Sequence, residues 1–496
     1  MVAADQSVSR VRDGGHGPFH RAPLGLKAFV QASIVAGMFP HTDARPRVRF
    51  LLALLLAQTC SAIAGPAPAY WQWAPTPPMG WNSYDAWGTS INEDQTLANA
   101  QYMKDHLLSH GWTYVVIDAR WYDSVSPTDD RQFNKQRAGA KLAADEYGRL
   151  LPSLNRFPSA ADGAGFKPLA DKIHAMGLKF GFHLMRGIPR QAVNAKTPIA
   201  GSTFTAADAG DPHSRCSWCP DMYGVRDNAA GQAWYDAMFQ LYASWGLDFV
   251  KVDDLSVPYH GAEIRMIRKA LDKCGRPIVF STSPGATDVV HATEISTLAN
   301  QWRISGDFWD RWKDLNHAFD LEATWQGVGG PGHYPDCDMI PFGHIGIECT
   351  IAGKERQTRF THDEQRMLMS LWSLCSSPLI LGNNLPDTDD WTTSLITNDE
   401  VLAVDQDPLA LGAKRVSQTA GVEVWVKPLK DGSKAIGLFN RGDAPATAAL
   451  DWTAAGLSGP QKLRDLWLHQ DLGAFTGTFS CPVPAHGVVL VSARGQ

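Results

Sequence analysis

The 496-residue sequence is short of charge: Asp, Glu, Lys and Arg make up only 19% of it, and the net charge is -6. So weak an acidic balance cannot neutralise a phosphate track, which argues against a nucleic-acid partner. The sequence has no H-E-x-x-H helix, no P-loop and no G-x-S-x-G elbow, so zinc-protease, nucleotide and serine-hydrolase chemistry lack their signatures. Gly327, Gly329 and Gly332 spell G-x-G-x-x-G, but Pro331 interrupts them and no helical pattern follows, so the dinucleotide context is missing. Ser283, in the stretch STSPG, has no glycine frame to make it a nucleophile elbow. Cysteine is scarce, at 8 residues. Cys216 and Cys219 form a lone C-x-x-C without a second pair at zinc spacing, which reads as a local disulfide or two quiet thiols rather than a metal site. Tryptophan, by contrast, is abundant at 18 residues. Many indoles among few charges suit a protein that stacks neutral, flat ligands such as sugar rings, although core packing explains most single tryptophans equally well.

Near the N-terminus, Arg45, Arg47 and Arg49 precede the apolar run Phe50 to Ala57, and Ala62-Ile63-Ala64 follows as a small-residue site. This is the order of a secretory signal, too short to span a membrane. We expect cleavage after Ala64, export to the periplasm or the medium, and no membrane contact afterwards; Met38 is the expected true start. Without Cys60, the cysteines Cys216, Cys219, Cys274, Cys337, Cys349, Cys375 and Cys481 remain, an odd number that leaves at least one unpaired.

Short apolar runs then alternate with helical patterns. The expected strands are Met79–Tyr84, Tyr114–Ile117, Lys179–Leu184, Asp248–Val252, Pro277–Ser281, Gln301–Ser305, a short one around Asp338–Ile340, and Pro378–Leu381. Between them lie periodic segments such as Glu93–His110, Phe166–Met176, Ala233–Trp245, Ala262–Lys273, Trp309–Phe319 and Thr361–Cys375. Such alternation means parallel strands with crossover helices, and the length fits a closed (β/α)8 TIM barrel, with a doubly wound open sheet as the alternative. From about Val404 the texture changes to short β-favouring runs with turn signals, which predicts an appended antiparallel β domain. The expected organisation is 1–64 extension and signal, 65–403 barrel, and 404–496 β-sandwich domain.

Polar residues recur where the strands end: Asp85, Asp118, His183 with Arg186, Asp253 with Asp254, Ser283, Arg303 with Asp307, and Asp336 with Asp338. Helix capping explains any one of these, but the C-terminal face of a barrel, where catalytic groups collect, explains all of them together. Two carboxylates from different strands that flank one glycosidic bond can break it. Asp253 after the fourth strand and Asp307 after the sixth meet that requirement. Lys251, two residues before Asp253, points to the same side and is expected to keep that carboxylate ionised.

With these residues placed, the chain resembles glycoside hydrolase family 27, which contains the α-galactosidases and α-N-acetylgalactosaminidases. The resemblance rests on an ordered series: TPPMGWNS, YVVIDARW, GFKPLADKIHAMGLKFG, WGLDFVKVDD, WRISGD, PDCDM, SPLILGNNL and LRDLW. It implies a barrel with a C-terminal β domain, a terminal α-linked sugar as substrate, retention of configuration, and no metal or organic cofactor. It further implies Asp253 as nucleophile and Asp307 as acid/base. Asp118, Lys251 and Arg303 match the family's sugar-holding residues, Trp81 and Tyr84 its wall, and Asp336 and Asp338 the floor. His183 and Ser283 stand where the family has a Tyr and a Glu. Further departures are Ala119 for the second Asp of the family's I-D-D-C-W, Arg120 for its Cys, and Leu255 for a Cys after the nucleophile. Removal of α-linked galactose is therefore the expected activity. The alternatives are β-L-arabinopyranoside, α-N-acetylgalactosaminide or an isomaltose-type glucan as substrate, or a catalytically silent carbohydrate-binding protein.

Overall fold

The computed structural model describes residues 67–124 and 142–496. The expected signal, start codon and cleavage site lie outside the described residues. Eight parallel strands form one curved sheet: β1 Met79–Asn82, β2 Tyr114–Ile117, β3 Lys179–Met185, β4 Phe249–Asp253, β5 Val279–Thr282, β6 Gln301–Arg303, β7 Tyr334–Asp336 and β8 Leu379–Leu381. They run in the order β7-β6-β5-β4-β3-β2-β1-β8. The remaining seam is closed just past β7, where the Ile340 amide donates to Ile380 O at 2.7 Å and the Gly382 amide donates back to Ile340 O at 3.1 Å. The expected strand around Asp338–Ile340 is thus displaced. Regular pairing stops at Asp336, because Asp338 takes a positive φ of 86° and its amide turns onto the Asp336 carboxylate. Only Ile340 rejoins the barrel.

Crossover helices cover the sheet: α1 Glu93–Tyr102, α2 Lys167–Ala175, α3 Ala229–Ser244, α4 Gly261–Lys273, α5 Trp312–Thr324 and α6 His362–Cys375. Their starts are written in the sequence. Asn92 and Gln95 form a capping box at α1, and Thr361 and Glu364 form one at α6. The expected start of α5 at Trp309 comes three residues early, because Phe308 and Trp309 are held in the loop at the barrel mouth.

Strand alternation sorts the barrel interior into layers. Tyr114, Phe249, Val279 and Tyr334 fill the bottom as one buried apolar cluster. Above them lies a polar layer of Asn82, Lys251, Ser281, Gln301, Arg303 and Asp336, around a void of about 20 Å³, room for about one water. At β1 the alternation turns Gly80 and Asn82 inward and Trp81 outward. A Cβ at 80 would collide with Tyr114, so that position has to be glycine.

The C-terminal region forms a six-stranded antiparallel sheet and a separate two-stranded one. Its strands are β9 Lys414–Thr419, β10 Val422–Pro428, β11 Lys434–Asn440, β12 Ala446–Asp451, β13 Pro460–Asp465, β14 Gln470–Thr476, β15 Thr478–Val483 and β16 Gly487–Gly495. The expected boundary at 404 falls inside the helix Asp399–Asp405 that precedes β9. A dense interface joins barrel to sandwich. Phe319 of α5 packs edge-on against Phe439 at 5.0 Å, and the buried Lys427 donates to Ser373 O at 2.9 Å.

Candidate active site

A cavity of about 300 Å³ opens at the C-terminal ends of the strands. This volume is at the small end of ligand sites and suits one monosaccharide. Asp118, Lys251, Asp253, Arg303, Asp307 and Asp338 all border it. Residues from β4 and β6 and from the segments after β2, β6 and β7 therefore converge on one space, as strand-end placement predicts.

Lys251 was expected to keep Asp253 ionised; it does lower that pKa, but second to His183, and its own ion pair lies elsewhere. Its Nζ sits 2.9 Å from Asp118 Oδ2, while Asp253 Oδ2 lies 2.8 Å from His183 Nε2. Register explains the exchange. His183 on β3 is paired side by side with Lys251, and Met185 with Asp253, so the imidazole rises to the nucleophile while the longer lysine reaches across to β2. Burial disfavours charge on Asp253, but first His183 and then Lys251 outweigh it and lower the pKa. Asp118 is held down to about 2 against the same burial, by Lys251, His183 and a hydrogen bond from Asn82 Nδ2 at 2.6 Å. Lys251 in turn keeps its proton: burial opposes its charge, and Asp118, Asp253 and Asp338 raise its pKa over that opposition.

Asp307 contrasts with Asp253. Its side chain is 54% exposed, and its nearest cation is Arg303, with Nη2 3.4 Å from Oδ1. Arg303 is shared: Nη1 pairs with Asp338 Oδ1 at 2.7 Å and donates to Ser283 Oγ at 3.3 Å. Burial pushes the Asp338 carboxyl up to about 7, with Asp307 and Asp336 adding to the rise against Arg303. One carboxylate is buried and held ionised, the other faces the opening, and the pair borders a sugar-sized space. That division of labour suits a nucleophile and a proton donor.

Several expected sugar contacts turn out to be supports. Trp81 is fully buried, points away from the cavity and donates its indole N–H to Asn383 O at 2.6 Å. Ser283 is also fully buried, and it backs Arg303 while its neighbour Pro284 borders the cavity. His183 lies beneath Asp253 and does not border the cavity. Asp336 belongs to the polar layer below, where its carboxylate accepts from Gln301 Nε2 at 3.1 Å. Tyr84 does border the space, with Lys251 Nζ 5.9 Å from its ring centroid. Asp254, by contrast, takes φ +65° and pairs with the buried Arg186 at 2.9 Å, which makes it a structural carboxylate.

Asp85 and the residues Thr89, Trp218, Phe308, Trp309, Met339 and Ile351 also border the cavity, although the sequence did not single them out as ligands. The Asp85 carboxylate is 3% exposed and has an oxygen, Oδ2, without a hydrogen-bond partner. Burial, then Asp338, raises its pKa well above the usual range. A Cβ at Gly382 would collide with it, so the glycine of SPLILGNNL keeps its place open. The strand-end pattern had flagged Asp85, and this glycine was the second available signal. Cys216 and Cys219 are free and buried, and burial raises both thiols to about 12, which makes them quiet thiols. Cys274, Cys337, Cys375 and Cys481 are likewise free thiols. Among those residues no group of three or more His, Cys, Asp or Glu could hold a metal ion.

Barrel, β domain and paired strand-end carboxylates together define a glycoside hydrolase of the barrel type. Comparison with known proteins places it more closely. Residues 223–407 match the family model described as alpha galactosidase A, and 419–493 that of the alpha galactosidase C-terminal beta sandwich domain. The chain is 31% identical to the α-galactosidase of Cyamopsis tetragonoloba over 417 residues, 83% of this chain and 84% of that one. Among solved structures, it is similar to a family 27 β-L-arabinopyranosidase of Geobacillus stearothermophilus in complex with arabinose, at 46% identity and a TM-score of 0.83. That match covers 87% of this chain and 100% of the other. A Bacillus halodurans protein proposed to be an α-N-acetylgalactosaminidase matches at 42% identity and a TM-score of 0.75, over 85% of this chain and 97% of that one. The chain belongs to glycoside hydrolase family 27 and is a glycosidase.

Proposed function

We propose that this enzyme removes terminal α-linked galactose by a retaining double displacement. Asp253 attacks the anomeric carbon while Asp307 protonates the departing oxygen; Asp307 then deprotonates the water that hydrolyses the glycosyl-enzyme. Asp118, Lys251 and Arg303 hold the ring hydroxyls, and Asp85 supplies a further hydrogen-bonding carboxyl. The observation that carries this reading is the convergence of Asp253, kept ionised, and the exposed Asp307 on one cavity of about 300 Å³. Retention requires their carboxyl groups to stand about 5 to 5.5 Å apart in the sugar complex, against about 6.5 Å or more for inversion.

A second reading keeps this mechanism and makes β-L-arabinopyranoside, galactose without its C6 group, the better substrate. Ala119 favours it, because a methyl group borders the cavity where the resembled family has a carboxylate for galactose hydroxyls. So does the higher identity to the arabinopyranosidase, 46% against 31% for the guar α-galactosidase. Hydrolysis of p-nitrophenyl α-D-galactoside, β-L-arabinopyranoside and α-N-acetylgalactosaminide decides between them. The highest kcat/KM on the galactoside supports the first reading, on the arabinopyranoside the second, and activity confined to the third sugar overturns both. Export with cleavage after Ala64 is part of the proposal; a mature N-terminus well upstream of Gly65 would refute it.

A further inference from the structure

The mechanism above uses the floor of the cavity and leaves its rim without a role. Trp218 and Ile351 border the cavity and remain 36% and 45% exposed, an apolar pair at the mouth of a polar site. They come from different excursions, Trp218 from the one between β3 and α3 and Ile351 from the one between β7 and α6. Phe308 and Trp309, which follow the acid/base Asp307 directly, border the same space. A leaving group must depart past its proton donor, so these side chains lie where it would rest.

The Trp218 loop is held from beneath. Both neighbouring cysteines are buried, and Cys219 Sγ lies 3.5 Å from Asp221 Oδ2. Asp221 pairs with Arg120 at 2.8 Å, and Arg120 is itself 1% exposed and pairs with Asp123 at 2.9 Å. At the other end, Ser214 Oγ accepts from Arg186 Nη1 at 3.1 Å, and Arg186 is clamped between Asp254 and Glu263. Arg120 thus acts as a positioning residue: buried ion pairs fix the base of a loop whose indole borders the cavity partly exposed. The cavity lining carries five acidic side chains against two cations, Lys251 and Arg303, so it offers no excess positive charge to an anionic occupant.

We propose that Trp218 and Ile351 form a binding site for the leaving group, specific for an uncharged aglycone that presents a flat ring face. This rests on the retaining-glycosidase reading. An indole on an anchored loop stacks such a ring with little further loss of backbone freedom.

The test compares methyl, p-nitrophenyl and disaccharide glycosides of one terminal sugar, with the wild type and with Trp218→Ala and Ile351→Ala. For the two ring-bearing substrates Trp218→Ala should lower kcat/KM on the order of tenfold, mainly through KM. For the methyl glycoside the change should stay within about twofold. Loss on the aryl glycoside alone, or on the disaccharide alone, supports the site and names its ring. Equal loss on all three, or loss on none, overturns it. If the wild type cleaves none of them, the proposed function is what has failed, and binding then decides. A galactosyl disaccharide titrated calorimetrically into Asp253→Asn should bind on the order of tenfold more weakly once Trp218→Ala is added. Unchanged or absent binding overturns the proposal.

Discussion

The floor and the rim of the cavity are built by different means. On the floor, Asp118, Lys251, Asp253 and Arg303 stand at the ends of paired strands, where period-two alternation and register fix each side chain to within a rotamer. The rim, with Trp218, Trp309 and Ile351, hangs on loops and is held by ion pairs such as Arg120 with Asp221. Asp118, Lys251, Asp253 and Arg303 match the motifs of the resembled family, whereas Ala119, which borders the same cavity, departs from them. A rigid scaffold can keep one reaction while its loops change what leaves and what fits.

The sharpest way to break this contrast is to remove the nucleophile. Asp253→Ala should lose roughly four orders of magnitude or more in kcat, and azide should restore turnover with the opposite anomer as product. Failure of azide to restore any rate would remove Asp253 from that role. Asp307→Ala comes next, with a loss of about 10²- to 10⁴-fold on substrates with poor leaving groups and much less on activated aryl glycosides. An equal loss on both kinds, read from steady-state kinetics, would mean that Asp307 is not the proton donor.

A smaller effect distinguishes the two partners of Asp253. His183 is the first group that lowers its pKa, so His183→Phe should move the acid limb of the kcat/KM profile to higher pH. An unmoved limb would leave Lys251 as the controlling charge. The same linkage reaches stability. Asp118, at about 2 in the folded chain, contributes fully above about pH 4 and loses that contribution as the pH falls through its folded value. The smallest expected effect on activity is that of Trp81→Phe. It strands the buried Asn383 carbonyl, which should cost about 1–3 kcal/mol in stability by denaturant melts, and it should leave KM unchanged. A raised KM would put Trp81 back in the sugar wall.

How legible the site was depended on what each inference required. Tyr114–Ile117 is a strand as expected, and seven of the eight expected strands overlap the observed ones, because parallel strands buried on both faces read as apolar runs. The seventh was displaced by a turn closed through an aspartate side chain, which apolar patterning does not report. Asp253, Asp307, Asp118, Lys251 and Arg303 were legible as charges at strand ends. Trp81 and Ser283 were misread as ligands, since their motifs place them on the strand without saying which way each faces.

Taken alone, the sequence determined the barrel, the appended β domain, the family and the candidate carboxylate pair. The architecture follows from local periodicity, the carboxylate pair from charges that an apolar strand end cannot otherwise tolerate, and the family from the ordered series of motifs that the chain shares with it. Tertiary structure alone decided that His183 rather than Lys251 contacts Asp253, that Trp81 turns its back on the cavity, and that Asp85 and Trp218 border it. Those outcomes depend on inter-strand register and on which buried partner satisfies which charge, and both are distances between residues far apart in the chain.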